Sequence, residues 1–356
     1  MQPFAEMSEL GHEQVLFCRD RHSGLQAIIA IHDTTLGPAL GGCRLYDYGS
    51  EAAALRDVLR LSRGMTYKAA VAGLDLGGGK AVIVGDPSIK SEALFRSFGR
   101  HVESLGGRYI TAVDMNTNVE DMNFIRRETR NVAGAATDVG GSGDPSPVTA
   151  WGVFHGIRAS LDVVYGSSSV EGKTIAIQGV GNVGYWLAKY LHERGAKLIF
   201  NDINGGNLDR AMTDFGGSVV EGEDYYGVEC DVLAPCAIGG IVNARSLRSI
   251  RAPIIAGAAN NILEDEVADS ERLLEKGIAY APDYVINAGG LISVFSELNN
   301  WSHEKSLSDA ANIYNTVKKV LNLAHSEGIS TTLASNRIAE ERIEAVARVG
   351  RLRLNK

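Results

Sequence analysis

The chain has 356 residues, of which 45% are hydrophobic and 22% are charged, and its formal net charge is −8. This composition is ordinary for a globular protein, and the length predicts two domains rather than one. The acidic balance argues against nucleic acid or an anionic membrane as a partner, and no apolar run reaches membrane-spanning length.

The N-terminus has no basic segment followed by an apolar core, so we expect a cytoplasmic protein without a signal peptide. The four cysteines are then expected to be reduced, and none are spaced as CxxC. The eight histidines do not cluster at metal-ligand spacing, so no metal site is predicted.

The first half of the chain predicts strands and helices that place two candidate groups for anion binding. Residues 14–19 and 25–32 predict a β-hairpin. In the predicted loop 34–44, Gly41-Gly42 could present backbone N–H groups to an anion, although two glycines are more often only a turn. Ser50 predicts the N-cap of a helix that carries Lys68 near its C-terminal end. There Lys68 either only interacts favourably with the helix dipole or supplies a second lysine to the same site as Lys80.

Three consecutive glycines, Gly77 to Gly79, precede Lys80. They predict a tight turn that another molecule can approach closely, followed by a buried strand over 81–84. Lys80 would then stand at the edge of a sheet, where it could bind an anion. If buried beside another cation, it could serve as a base near neutral pH. A solvated lysine after an ordinary turn is the alternative.

Asp114 follows a predicted strand over 108–113, after a predicted helix over 92–105. Functional side chains of α/β proteins lie at such strand ends, although a carboxylate there can equally cap a helix. The loop 134–147, rich in Gly, Ser and Pro, predicts the crossing to a second domain.

The second half contains a more specific motif. A predicted strand over 173–178 runs into Gly179, Gly181 and Gly184 in the pattern GxGxxG, then into a helix and a strand that ends at Asp202. The separation of 202 − 181 = 21 residues is typical of a dinucleotide-binding βαβ unit. The glycines allow a tight turn, approach of a pyrophosphate and close helix packing, and the carboxylate would bind the adenosine ribose and repel a 2′-phosphate. NAD is therefore favoured over NADP.

Alternating strands and loops continue to residue 291. Asn260, Asn261 and Asn287 follow predicted strands, where polar groups line the cofactor crevice of parallel sheets, although each singly is also a common turn residue. Helical patterns over 307–325 and 332–349 close the chain.

Together these motifs resemble the glutamate/leucine/phenylalanine/valine dehydrogenase family. The family signature, an apolar residue, two variable residues, Gly-Gly, a small residue and lysine, matches residues 74–80, with Asp-Pro following at 86–87. The stretches 31–42, 63–68 and 280–290 resemble the leucine and phenylalanine branch. The resemblance covers nearly the whole chain, from residue 14 to 343. It implies reversible, NAD-dependent oxidative deamination of an L-amino acid to a 2-oxo acid and ammonia.

The resemblance also implies the architecture. An N-terminal α/β domain over 1–148, joined by the C-terminal helix 330–356, would bind the substrate and form oligomer contacts. A doubly wound Rossmann domain over 149–329 would bind NAD, with a cleft between the two. A homo-oligomer, an octamer or a dimer, is expected.

The family pattern further implies residue roles. Lys80 would be the general base, and Asp114 would assist proton transfer. The substrate carboxylate would be bound by Lys68, Gly41, Gly42 and Asn261. The side-chain pocket would be formed by apolar or side-chain-free positions: Leu40, Gly73, Ala112, Val148, Leu291 and Val294. The cofactor would be bound by Gly179, Gly181, Asn182, Val183, Gly184, Asp202, Thr149, Cys236, Ala237, Ala258, Asn260 and Asn287.

This pocket has no cation for a γ-carboxylate, which argues against glutamate. Leu40, Ala112 and Val294 resemble leucine dehydrogenases, so leucine and other branched-chain substrates are favoured. Leu291 and the run 114–118 resemble phenylalanine dehydrogenases instead, and Phe295 stands where a small residue is common, which leaves tryptophan open. One methylene is worth only about 1–3 kcal/mol of discrimination, so several substrates are expected to be accepted.

A second hypothesis is a catalytically inactive, NAD-binding sensor on the same fold. The presence of Lys68, Lys80, Asp114 and Asn261 argues against it.

Overall fold

The computed structural model describes residues 2–134 and 143–349. The chain divides into two compact units, the first comprising residues 1–143, 297–299 and 339–356, the second residues 144–296 and 300–338. Most of the loop predicted over 134–147 lies outside the described residues. The domain boundaries proposed from the sequence stay a prediction. Within the described ranges, no helix combines the length and the apolar character that crossing a membrane requires.

The first unit contains a mixed five-stranded sheet. Its strands are β1 (Gln14–Arg19), β2 (Gln26–Asp33), β3 (Ala39–Tyr46), β4 (Gly77–Val84) and β5 (Tyr109–Val113). They lie in the order β1-β2-β4-β3-β5, with β1 and β4 antiparallel to β2, and with β3 parallel to β4 and β5. The hairpin predicted from residues 14–32 is confirmed.

Helices cover both faces of this sheet. They are α1 (Pro3–Leu10), α2 (Glu51–Val71), α3 (Glu92–Glu103) and α4 (Val119–Arg126), and a short 3₁₀ turn spans Pro87–Ile89. The predicted N-cap of α2 is confirmed, because the Ser50 side chain accepts from the amide of Ala53. Leu55 and Leu59 of α2 are buried against Val82 on one face, while α3 buries its apolar side in the core on the other.

The second unit contains a six-stranded parallel sheet. Its strands are β6 (Thr174–Gln178), β7 (Lys197–Asn201), β8 (Ser218–Val219), β9 (Val232–Pro235), β10 (Ile254–Ile255) and β11 (Ala279–Tyr280). The order β11-β10-β9-β6-β7-β8 changes direction beside β6, which is the switch point of a doubly wound sheet. The predicted α/β class is confirmed.

The remaining helices follow the strands. They are α5 (Ser146–Tyr165), α6 (Asn182–His192), α7 (Gly205–Phe215), α8 (Asp224–Gly227), α9 (Glu266–Glu275), α10 (Asp283–Ile286), α11 (Gly289–Leu298), α12 (His303–Ala311), α13 (Ile313–Glu327) and α14 (Thr331–Val349). A second 3₁₀ turn spans Ser246–Arg248. The helix predicted over 307–325 is in fact two helices, since Asn312 is both the C-cap of α12 and the N-cap of α13.

The last helix holds the segment that joins α2 to β4. Arg342 of α14 donates from Nη1 to the carbonyl of Leu74 at 2.6 Å and to that of Ala70 at 3.3 Å. Its Nη2 lies 2.7 Å from a carboxylate oxygen of Asp75. Side chains far apart in sequence therefore fix the geometry of this connection.

Candidate active site

The three consecutive glycines lie inside strand β4, so the predicted turn was wrong. A Cβ at Gly78 would lie 2.1 Å from Oγ1 of Thr66 in α2, and one at Gly79 would lie 2.6 Å from the ring of Tyr109. The glycines are needed because α2 and β5 pack directly on the backbone of β4. The close approach to this backbone that the sequence predicted is made by other residues of the protein.

Gly41 and Gly42 are also buried strand residues, whereas the sequence predicted a loop as far as residue 44. A Cβ at Gly41 would lie 1.6 Å from the carbonyl oxygen of Gly79, and one at Gly42 would lie 2.7 Å from Cβ of Asp114. No side chain fits at these distances, so glycine lets β3 lie close to β4 and to Asp114. The binding of a carboxylate by their N–H groups stays a prediction.

Lys80 is within β4 rather than at a sheet edge, and its residue is only 6% exposed. Its ammonium donates a hydrogen bond to Oδ2 of Asp114. Asp114 directly follows β5, and its Oδ1 accepts from the amide of Met115 at 2.5 Å, while its own amide donates to Oγ1 of Thr117 at 2.9 Å. The turn after β5 thus orients the carboxylate toward Lys80.

Burial, and then the charge of the Arg44 guanidinium, lower the pKa of Lys80 to about 7. Lys68, half-buried near the end of α2, is close enough to add a smaller lowering effect. The sequence pointed to burial and Lys68, so the larger contribution of Arg44 is a correction. A lysine that is half neutral near pH 7 is suited to general-base chemistry.

Arg44 and Asp57 are the charged residues that sequence reasoning missed. Arg44 is two residues beyond Gly42 in β3, so both lie on one face of the sheet. Its Nη1 donates to Oδ2 of Asp57 at 2.9 Å, and its Nε lies 3.5 Å from Oδ1 of Asp114. The alternation of β3 would have placed Arg44 beside Asp114, had the segment been recognised as a strand.

The glycine loop of the second unit leads from β6 into α6. Gly179 has φ = +86°, a conformation that favours glycine. A Cβ at Gly184 would lie 1.9 Å from the carbonyl oxygen of Gly179, so helix and strand could not pack with a side chain there. At Gly181, the N-cap of α6, a Cβ would meet no heavy atom of the described chain within 4 Å. The fold requires the first and third glycines, while the space beside the second is open to an anion.

Asp202, at the end of β7, is held beside this loop. Its Oδ2 accepts from the amide of Val180 at 2.8 Å, and its Oδ1 accepts from the amide of Asn204 at 2.8 Å. A fixed carboxylate at this place suits the hydroxyl groups of a ribose. Asn182 and Val183 form the first turn of α6. These residues fit an adenine dinucleotide.

Two further predicted cofactor residues adjoin the glycine loop. A Cβ at Gly179 would lie 2.5 Å from Cβ of Ala237, and the amide of Cys236 donates to the carbonyl of Gln178 at 2.7 Å. The ends of β6 and β9 therefore bring these residues together.

The other predicted cofactor residues form a separate cluster in this unit. The side-chain amide of Asn287 donates to Oδ1 of Asn260 at 2.8 Å and to the carbonyl of Ala258 at 3.2 Å. Thr149, in the first turn of α5, packs on Gly289, where a Cβ would lie 2.7 Å from its Cα.

The predicted substrate-pocket residues divide between the two units. Leu40 and Ala112 are buried on β3 and β5 of the first, which also contains Gly73 after α2. The second unit contains Asn261 (φ = +50°) and Val148, Leu291 and Val294. Among the described residues, no three His, Cys, Asp or Glu side chains are placed to hold a metal ion.

Comparison with known proteins gives consistent matches. Residues 12–131 match the family "Glu/Leu/Phe/Val dehydrogenase, dimerisation domain", and residues 140–209 and 206–350 match "Glutamate/Leucine/Phenylalanine/Valine dehydrogenase". A leucine dehydrogenase of Bacillus subtilis is 52% identical, over 98% of this chain and 96% of that protein. A phenylalanine dehydrogenase of Bacillus thermotolerans is 49% identical, over 96% of this chain and 90% of that one.

Among solved structures, L-tryptophan dehydrogenase from Nostoc punctiforme superposes with a TM-score of 0.89 at 45% identity, covering 97% of this chain and 99% of that one. Sequence and fold agree over almost the full length. The chain therefore belongs to the glutamate/leucine/phenylalanine/valine dehydrogenase family, amino-acid dehydrogenases that generally use a nicotinamide cofactor.

Proposed function

We propose that this protein catalyses the reversible, NAD-dependent oxidative deamination of an apolar L-amino acid, with leucine and other branched-chain amino acids preferred. The observation that carries the proposal is the ion pair of buried Lys80 with half-buried Asp114, in which the pKa of the lysine falls to about 7. The 52% identity to a leucine dehydrogenase supports the choice of substrate.

When bound, NAD would accept a hydride from Cα of the amino acid; with the amino group in its neutral form, its nitrogen lone pair forms the C=N bond and the substrate becomes an iminium. Neutral Lys80 then takes one proton from a water molecule as the water oxygen bonds to the iminium carbon. Asp114 holds the lysine in place and stabilises the ammonium that forms. Lys80 returns this proton to the amino group, and ammonia leaves as Lys80 takes the hydroxyl proton and the carbonyl forms. Lys80 then releases that proton to solvent.

Lys68 would bind the substrate carboxylate through its charge, assisted by the backbone of Gly41 and Gly42 and by Asn261. The proposed side-chain pocket, Leu40, Ala112, Leu291 and Val294, contains only apolar groups. Such a pocket rejects a charged γ-carboxylate because an unpaired charge would lose its water.

NAD rather than NADP is proposed because of Asp202. The pyrophosphate would bind at the N-terminus of α6, next to Gly181, and the ribose hydroxyls would bind the Asp202 carboxylate. A 2′-phosphate would meet this negative charge. Asn182, Val183, Thr149, Cys236, Ala237, Ala258, Asn260 and Asn287 would complete the binding surface.

Phenylalanine or tryptophan is the alternative substrate. In α11, the ring of Phe295 packs edge to face on Trp301 with centroids 5.3 Å apart. This aromatic pair lies next to Val294 in sequence, and dehydrogenases of both aromatic amino acids are similar to the chain. A homo-oligomer is also proposed, because the first half matches a domain described by its dimerisation.

The test is NADH formation, followed by absorbance, over a panel of L-leucine, L-isoleucine, L-valine, L-phenylalanine, L-tryptophan and L-glutamate. We expect the highest kcat/KM with a branched-chain substrate, and an aromatic optimum would favour the alternative. Lys80→Met should lose at least about 10²-fold in kcat while still binding NAD.

Lys90→Met is the matched control, since Lys90 forms a comparable ion pair with Asp121 at 2.6 Å in the same unit. It should keep kcat within about twofold, because no proton transfer is assigned to it. Tight NAD binding without turnover on any substrate would point instead to an inactive NAD-binding protein.

A further inference from the structure

The pair of Lys80 and Asp114 has a charged neighbour to which the proposed chemistry gives no task. The Nε of Arg44 lies 3.5 Å from Oδ1 of Asp114, whereas the lysine donates to the other carboxylate oxygen, Oδ2. This Nε is buried and makes no hydrogen bond to any described residue. A buried donor without a partner costs free energy, so its position beside Asp114 calls for a functional reason.

Arg44 is held in this position by Asp57. Its Nη1 donates to Oδ2 of Asp57 at 2.9 Å, and the same oxygen accepts from the hydroxyl of Tyr48 at 2.7 Å. Burial alone would raise the pKa of Asp57, but hydrogen bonds from Tyr48 and Arg60 lower it overall. Asp57 is therefore ionised at neutral pH and anchors the guanidinium beside Asp114.

We infer that Arg44 is a positioning residue for proton transfer: anchored by Asp57, it gives the Asp114 carboxylate a cationic partner that remains when Lys80 is neutral. The inference rests on the proposed function, because it assumes that Lys80 works in its neutral form. Lys80 gains and releases protons during each cycle, whereas Asp114 remains a carboxylate and Arg44 keeps its charge throughout. Without Arg44, loss of the lysine proton would leave a half-buried carboxylate without an ion-pair partner.

This arrangement predicts the direction in which the pKa of Lys80 shifts when each charged neighbour is removed. The charged or titratable groups around the Lys80 ammonium are Arg44, Lys68, Asp57, Cys43 and Asp114. Burial raises the pKa of the Cys43 thiol, so it is neutral near pH 7. Removing the cation at 44 should raise the pKa of Lys80, and removing the anion at 57 should lower it. If Arg44 and Asp57 only supported the fold, the two substitutions would not be expected to shift the pKa of Lys80 in opposite directions.

The experiment measures the pH dependence of kcat/KM for NAD reduction with L-leucine. In Arg44→Gln, the acidic limb should move upward by about one pH unit, as expected for a charge a few ångströms away in a partly buried site. In Arg44→Lys, which keeps the charge, it should stay within a few tenths of a unit of wild type. Arg60→Gln is the control: Arg60 also binds Asp57, at 3.1 Å, but its side chain is 58% exposed and it does not contact Asp114.

An acidic limb that stays in place in Arg44→Gln, or moves equally in Arg60→Gln, overturns the inference. If Arg44→Gln does not fold, Asp57→Asn makes the same test with a downward shift expected, and an unmoved or raised limb there is equally decisive.

The pKa of Lys80 can also be followed without turnover, by NMR of lysines carrying isotope-labelled methyl groups. Wild-type protein that forms no NADH but shows the expected shift in Arg44→Gln contradicts the proposed function alone. Normal turnover with an unshifted Lys80 contradicts only the inference.

Discussion

Gly181 and Gly184 belong to one motif but should fail in opposite ways when changed to alanine. Gly181→Ala places a methyl group in open space at the N-terminus of α6, so the fold should tolerate it and NAD binding should weaken. Gly184→Ala places a methyl group 1.9 Å from the carbonyl oxygen of Gly179, so the fold itself should be strained.

The magnitudes follow from these distances. Ordinary contact begins near 3.4 Å, so Gly184→Ala creates an overlap of 3.4 − 1.9 = 1.5 Å against backbone that must move. Overpacking of this kind costs about 1–3 kcal/mol, and the better helix propensity of alanine offsets up to about 1 kcal/mol. Because backbone must move, we expect the upper end of this range, and a net loss of about 2 kcal/mol corresponds to a fall in Tm of about 4–8 °C for a unit of this size. At Gly181, an N-cap position, alanine should cost less than about 1 kcal/mol of stability.

The assays are thermal unfolding by circular dichroism and NAD binding by calorimetry. Gly181→Ala should lower Tm by less than about 4 °C and weaken NAD binding at least tenfold, which is about 1.4 kcal/mol. In Gly184→Ala the main effect should be the fall in Tm. Wild-type affinity in Gly181→Ala, or an equal loss of Tm in both variants, would show that the loop does not bind the pyrophosphate as proposed.

Three further outcomes are expected. The kcat/KM for deamination should rise about tenfold from pH 6 to pH 8, because the neutral fraction of Lys80, whose pKa is about 7, grows over that range; a limb near pH 9 or above would contradict a buried base. Asp202→Ala should raise the ratio of kcat/KM with NADP to that with NAD at least about tenfold, measured with both cofactors, since the repelling carboxylate is removed; an unchanged ratio would show that this carboxylate does not meet the ribose. Burial, and then the charge of His32, lower the pKa of His12 to about 4, and the pKa of His32 is lowered too. The unfolded chain therefore binds more protons, and stability that is complete above about pH 6.5 is lost as pH falls toward 4. Urea unfolding at pH 7 and pH 5 measures this loss, which His12→Gln should reduce, and an unchanged pH dependence in that variant would assign the loss to other groups.

Sequence reasoning succeeded where the local pattern and the fold agree. Two runs rich in β-forming residues, joined by a short turn, predicted the first hairpin, and a serine followed by an acidic residue predicted the start of α2. The GxGxxG motif and Asp202 predicted the unit of β6, α6 and β7 because strand, turn and helix there are contiguous in sequence, and the first and third glycines each meet a steric demand.

It failed where glycine has a tertiary rather than a local cause. Gly41, Gly42 and Gly78 lie in strands because helix α2, a neighbouring strand or Asp114 occupies the space of a side chain. Intrinsic propensity predicts turns at such glycines, whereas their place in strands is explained by the close packing of neighbouring atoms. Arg44 was missed for the same reason, since its place beside Asp114 follows from strand β3, which the glycines concealed.

The contact of Arg342 with the α2–β4 connection constrains how the protein is made. Arg342 is 267 residues downstream of Asp75, the carboxylate that it binds. Lys68, Lys80 and Asp114 are synthesised before the second unit, but Arg342, which secures the segment between α2 and β4, is synthesised only after it. The first unit therefore lacks this stabilising contact until the second unit has been synthesised.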